Sequence, residues 1–193
     1  MMRLLKIFKI SLFGFMALTV MNAHADQGDL IKRMKSGGHI LMIRHAYAPG
    51  SGDPANFKIG DCATQRNLND SGRSQARAIG DWLRSKGIKD AKVYSSQWCR
   101  CLETAALLNF GPVAELPALN SFYGEPQNRE PNIKTLRSFI ATLPADGELV
   151  IFVTHFENIL EISGEGVSPG EGVVLKLKEG GAYDVIGSLS FQL

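Results

Sequence analysis

The sequence is short of cysteine, has no sustained basic run, and has no apolar stretch of comfortable membrane-spanning length. Each shortage excludes something. The three cysteines, Cys62, Cys99 and Cys101, form no Cys-x-x-Cys pair and have no neighbouring histidine, so no metal site is expected. Lys and Arg are scattered, which argues against nucleic acid as a partner. The formal charge of +2 owes its sign to Arg3, Lys6 and Lys9; without residues 1–25 it falls to about −1. The apolar stretch at residues 10–20 is shorter than the roughly 20 residues a spanning helix needs. Internal repeats and low-complexity segments are also absent.

What the first 25 residues do contain is a basic start, an apolar middle and the small-x-small triplet Ala23-His24-Ala25. That order reads as a secretory signal at 1–25, removed to leave one domain at 26–193. The expected location is periplasmic or secreted, with no stable membrane insertion after cleavage. An oxidising compartment favours a disulfide. Cys99 and Cys101, one residue apart, would strain if joined, so Cys62 is expected to pair with one of them and leave the other free.

Continuous apolar runs at residues 39–43 and 148–154 read as strands buried on both faces. Shorter strands are expected at 91–95, 113–116, 172–177 and 183–191. Helical spacing marks 28–36, 70–86 and 97–109, and Pro131 suits the first position of a helix ending near Ala141. Residues 46–68 form a long polar loop, and loops of that length in a compact domain are usually functional. The alternation predicts an α/β fold: a three-layer α/β/α sandwich on a mainly parallel, mixed sheet.

Three strand ends carry chemistry. The first strand delivers Arg44-His45 and the 148–154 strand delivers His155. The 91–95 strand leads into a helix with Arg100 in its first turn. Open α/β sheets place ligand sites beyond the carboxyl ends of their strands. Two guanidiniums and two imidazoles there form a cradle suited to a tetrahedral dianion such as phosphate.

Arg44-His45-Ala46 resembles the Arg-His-Gly signature of the histidine phosphatase superfamily, which includes the cofactor-dependent phosphoglycerate mutases. Residues 67–76, with Gly72, Gln75 and Ala76, resemble its Leu-Thr-x-x-Gly-x-x-Gln-Ala block. Residues 95–105, with Ser96, Arg100, Thr104 and Ala105, resemble its Ser-x-x-x-Arg-x-x-x-Thr-Ala block, and Val153-Thr154-His155 resembles its second-histidine block. The blocks cover about residues 39–160 in the family's order. The resemblance implies that His45 attacks phosphorus and carries a phosphohistidine. Arg44 and Arg100 would clamp the phosphoryl oxygens, His155 would donate to them, and no cofactor or metal would be needed.

Two departures matter. Asn120 falls where mutase-like members carry a glutamate before a Tyr/Phe-Gly turn, so the general acid is expected to be Glu125, with Glu130 and Asp53 behind it. Phe156 follows His155 in place of the Gly or Asp of better-known members, and Glu157 is a further nearby acid. Only about 50 residues separate Arg44-His45 from the second strand, leaving no room for an inserted cap domain. The expectation is an exported, metal-independent phosphomonoesterase acting on a small phosphorylated substrate, with Gln65 and Arg66 contacting the leaving group. The alternatives are a phosphate-ester-binding protein with little turnover, and a phosphohistidine phosphatase.

Overall fold

The computed structural model describes residues 27–191; the expected signal segment at 1–25 lies outside the described residues. Strand β1 (His39–Arg44) is buried along almost its whole length, as its unbroken apolar sequence requires. It pairs in parallel with β4 (Val150–Thr154), placing Arg44 beside Thr154, so that His45 and His155 leave neighbouring strands at the same level. β4 is flanked in turn by parallel β2 (Lys92–Ser95), and β2 by the short β3 (Val113–Glu115). On the other side of β1 lie antiparallel β5 (Gly172–Leu177) and β6 (Tyr183–Leu189). The sheet order is β3-β2-β4-β1-β5-β6, four parallel strands with an antiparallel edge.

Alternation along β1 sends Leu41 and Ile43 to one face and Ile40 and Met42 to the other. The first face is covered by α1 (Gln27–Met34), α2 (Asp70–Ser85) and α3 (Cys99–Leu108), through Leu30, Ile79, Leu83 and Leu108. The second is covered by α4 (Arg129–Ala141) and α5 (Phe156–Ser163), through Leu136, Ile140, Ile159 and Ile162. The result is the expected three-layer sandwich. Truncating a fully buried Ile or Leu of such a core costs about 2–5 kcal/mol.

Helix α2 starts where the sequence offers a cap: Asn69 Oδ1 accepts from the Gly72 N–H at 2.9 Å. Helix α4 begins two residues earlier than expected, with Pro131 inside its first turn, where its missing N–H is harmless. Helix α5 is additional to the expected helices. Phe156, Ile159, Leu160 and Ser163 repeat at helical spacing, and Gly164 closes the helix in the left-handed region at φ 76°. Among the described residues no helix is long and apolar enough to cross a membrane.

Candidate active site

Arg44, His45, Arg66, Arg100 and His155 line one cavity of about 800 Å³ at the carboxyl ends of β1, β2 and β4. His45, Arg100 and His155 are buried, and the two imidazoles stand edge to face with centroids 5.5 Å apart. The Nδ1 of His45 lies 2.8 Å from its neighbour's carbonyl, Ala46 O. A carbonyl only accepts, so Nδ1 carries the proton and Nε2 keeps a free lone pair. Burial first, then the Arg100 charge, push the His45 pKa down to about 3. The imidazole is therefore neutral and nucleophilic across the physiological range.

Burial and the neighbouring Arg100 likewise hold His155 well below an ordinary histidine. Its Nε2 is enclosed by Ser96 Oγ at 2.9 Å and Cys101 Sγ at 3.5 Å. Nδ1 lies on the side of Arg100, with Nη2 at 3.4 Å. A guanidinium only donates, so Nδ1 accepts from Arg100 and the single proton of neutral His155 sits on Nε2, which donates to Ser96 Oγ. Ser96 Oγ donates onward to Asn120 Oδ1 at 3.2 Å; turned to Nε2 instead, that hydroxyl moves the proton to Nδ1. The hydroxyl thus sets the tautomer.

The arginines are anchored differently. Arg44 donates from Nη1 to Val167 O at 3.0 Å and lies over the Phe156 ring. Arg66 donates to Gly52 O and Ala48 O, which fixes it in the cavity wall. Arg100 Nη1 is held 2.8 Å from Asp53 Oδ1, and the Nε atoms of Arg44 and Arg100 are buried without a protein partner. Three guanidiniums facing one cavity, with Asp53 engaging only one, leave a field that favours a multiply charged anion.

The motif residues around this centre act on the backbone. Thr104 Oγ1 accepts from the Ala46 N–H at 3.0 Å and donates to Arg100 O at 2.6 Å, tying the strand end to α3. Gln75 accepts from the Tyr47 N–H and donates to Pro169 O. At Gly72 a Cβ would stand 2.0 Å from Tyr47 O, so only glycine permits that approach. Ala46 in place of the resembled family's glycine is accommodated, because its φ is not positive.

One expected site residue, Gln65, has other partners, and so does Asn120. Gln65 is buried outside the cavity: its Oε1 accepts from the Cys99 N–H, capping α3, and its Nε2 donates to Lys58 O. Asn120 also points away, with Oδ1 accepting from the Gln97 N–H and Nδ2 donating to Gln97 Oε1. The next residue, Ser121, faces the cavity instead.

Of the acids, Glu125 lines the cavity at its exposed rim, where Asn128 Nδ2 donates to it. Glu130 is not part of the lining. Asp53 is a poor proton donor. Burial raises its pKa, but the Arg66 N–H and the Arg100 guanidinium outweigh that and leave it below the usual carboxylate range. Glu157, from the first turn of α5, lines the cavity deeper in, accepts from Ser121 Oγ and acts electrostatically on Arg44. Its direction is set by α5.

The disulfide joins Cys62 to Cys99 and leaves Cys101 buried and reduced. It staples the long loop to the residue before Arg100.

A family model described as the histidine phosphatase superfamily, branch 1, matches residues 40–135, about half of the chain. The chain is 38% identical over 81 residues to the mitochondrial serine/threonine-protein phosphatase Pgam5 of Drosophila virilis, covering 42% of this chain and 25% of that protein. The Drosophila willistoni counterpart is 35% identical over 74 residues, covering 38% and 23%. The chain thus spans about a quarter of the length of these curated relatives. Among solved structures, the protein histidine phosphatase SixA complexed with tungstate matches with a TM-score of 0.55 at 17% identity, covering 79% of this chain and 96% of that one. A mycobacterial glucosyl-3-phosphoglycerate phosphatase matches with a TM-score of 0.56 at 16% identity, covering 77% and 97%. These two likenesses are of fold.

Proposed function

This chain belongs to the histidine phosphatase superfamily, and from that premise we propose that it is an exported, metal-independent phosphatase. It hydrolyses phosphomonoesters through a phosphohistidine on His45. The observation that carries this reading is the His45 Nδ1 bond to Ala46 O, which leaves Nε2 as a free nucleophile beside three guanidiniums. Export is supported by the signal-like order of residues 1–25 and by the Cys62–Cys99 bridge. The tungstate-bound neighbour SixA supports a tetrahedral oxyanion as the ligand of this fold.

The ester's phosphoryl group sits between Arg44, Arg66 and Arg100. As it draws the Arg100 Nη2–H away from His155 Nδ1, Ser96 turns to donate to Nε2, and the proton, now on Nδ1, is donated to one phosphoryl oxygen. The Nε2 lone pair of His45 attacks phosphorus in line with the ester oxygen. As the P–N bond forms, the P–O bond to the leaving group breaks, and Glu157 passes its proton to that oxygen. A water then attacks phosphorus, gives its proton to the Glu157 carboxylate, and the P–N bond breaks to restore His45 and release phosphate. The arginines stabilise charge on the transferring group, the main contribution in such transfers. They supply the charge stabilisation a metal would otherwise provide.

Turnover of para-nitrophenyl phosphate in EDTA, wild type beside His45→Ala, tests this reading. Turnover is expected in the wild type and lost in the variant. Activity that needs added metal, or survives in the variant, overturns it.

A further inference from the structure

Resting on that phosphatase reading, we infer that the outer half of the cavity is a seat for a planar aromatic leaving group bearing no second negative charge. Small-molecule pockets run to about 300–1,000 Å³. At about 800 Å³ this cavity is far larger than a phosphoryl group needs. Its cationic groups gather at the histidine end. The apolar lining is Phe57, Ile59, Trp98, Tyr123 and Phe156, with Trp98 edge-on to His155 and Phe156 under Arg44.

Ile59 is 48% exposed, Tyr123 72% and Phe156 38%. They are half of the six large apolar side chains exposed among the described residues, and all three converge on one opening. Exposed apolar surface gathered this way marks a binding site. The wall behind them is flat and fixed. Phe57 stacks on Trp98 at 4.8 Å and 22°, and the Trp98 indole N–H is held by Asp53 Oδ2 at 3.0 Å. Aromatic faces prefer a stacked or edge-on partner of the same kind.

A sugar would need several fixed hydrogen-bonding groups, and apart from the Ser51 and Tyr123 hydroxyls the side chains that could supply them are engaged within the protein. Arg66 donates to two carbonyls, Ser121 to Glu157, and Asn128 to Glu125. A second phosphate or carboxylate on the leaving group would meet Glu125 and Glu157, and no lysine among the described residues lines the cavity to receive it. The substrate class is therefore the monophosphate of an aromatic alcohol, whether free or as a tyrosyl side chain.

Non-hydrolysable phosphonates read this seat without the bias of leaving-group reactivity. Calorimetric Kd values would be compared for methylphosphonate, benzylphosphonate and 4-carboxybenzylphosphonate. Benzylphosphonate is expected to bind at least about tenfold tighter than methylphosphonate, and the added carboxylate to abolish most of that gain. In the doubly truncated Ile59→Ala/Tyr123→Ala protein, the benzyl-to-methyl ratio is expected to fall toward one. Equal binding of the methyl and benzyl ligands, or tighter binding of the carboxylated one, overturns the seat.

Turnover of para-nitrophenyl phosphate, run in parallel, separates this from the broader reading. Turnover without a benzyl preference sinks the aromatic seat alone. No turnover and no binding of any phosphonate sinks both. A peptide carrying phosphonomethyl-phenylalanine distinguishes the sources: tighter binding than benzylphosphonate supports the seat with a tyrosyl side chain as occupant. Weaker binding supports it with a free aryl phosphate.

Discussion

Asp53 and Arg100, 47 residues apart in the chain, are joined at 2.8 Å between carboxylate and guanidinium. Both side chains are largely buried, at 17% and 4% exposure. The loop that carries Asp53 therefore positions the Arg100 guanidinium of α3 in the cavity, and the same carboxylate holds the indole of Trp98. Asp53→Ala leaves a buried, uncompensated cation, a loss of about 3 kcal/mol in stability. It is also expected to lower kcat/KM for para-nitrophenyl phosphate by at least about tenfold, since small misplacements of positioning groups are costly. Urea melts and steady-state kinetics on the same preparation check both. An unchanged kcat/KM in a folded variant contradicts the positioning role.

Glu157→Gln removes the proposed proton donor while keeping an acceptor for Ser121. Ester hydrolysis is expected to fall about 10²–10⁴-fold. A phosphoramidate, whose nitrogen leaving group needs little help, is expected to lose much less. The ratio of ester to phosphoramidate rates in wild type and variant is the measurement. Equal losses on both, or a larger loss in Glu125→Gln, would move the acid elsewhere.

The histidines make stability fall in acid. His45 has a folded-state pKa of about 3 against an ordinary 6.5. His39 and His155 are also lowered, chiefly by burial. Between about pH 6.5 and 3 the unfolded chain binds more protons, so stability is complete above that window and declines as pH falls through it. Each such group contributes a slope of up to about 1.4 kcal/mol per pH unit. The melting temperature of His45→Asn is expected to depend less steeply on pH in this window. Parallel curves for the two proteins contradict the assignment.

The Cys62–Cys99 bridge closes a sequence separation of 37. Its loss, by reduction or by Cys62→Ser, is expected to cost about 2–4 kcal/mol. Cys101 is buried, and its thiol is pushed up to about 12 by burial. It should resist thiol reagents in the folded protein. Identical melting with and without reductant contradicts the bridge.

Arg44, His45 and His155 were legible because buried parallel strands leave unbroken apolar runs, and the chemistry follows where those runs end; Arg100 was legible from the helix that follows β2. The side chains that serve them were less so. Gln65 reads as a polar loop residue, and only the folded loop shows that it caps α3. Asn120 could be placed in sequence but not in direction; the chain presents Ser121 to the cavity and turns Asn120 toward Gln97. The choice between Cys99 and Cys101 depends on which side of α3 faces the loop, a tertiary property. Glu157 is legible as an acid beside His155, but its direction follows from α5. The helical repeat after His155 was present, and it would have aimed Glu157 along the same helix start.

The central claim is that His45 carries the phosphoryl group, and on one particular nitrogen. Rapid quenching of the wild-type protein with para-nitrophenyl phosphate at high pH, where phosphohistidine survives, followed by peptide mass spectrometry and ³¹P NMR, reads it directly. A phosphoryl group on His45 linked through Nε2 is expected, because Nδ1–H is committed to Ala46 O. A phosphoryl group on another residue, linkage through Nδ1, or steady turnover with no trapped phosphate would contradict the account.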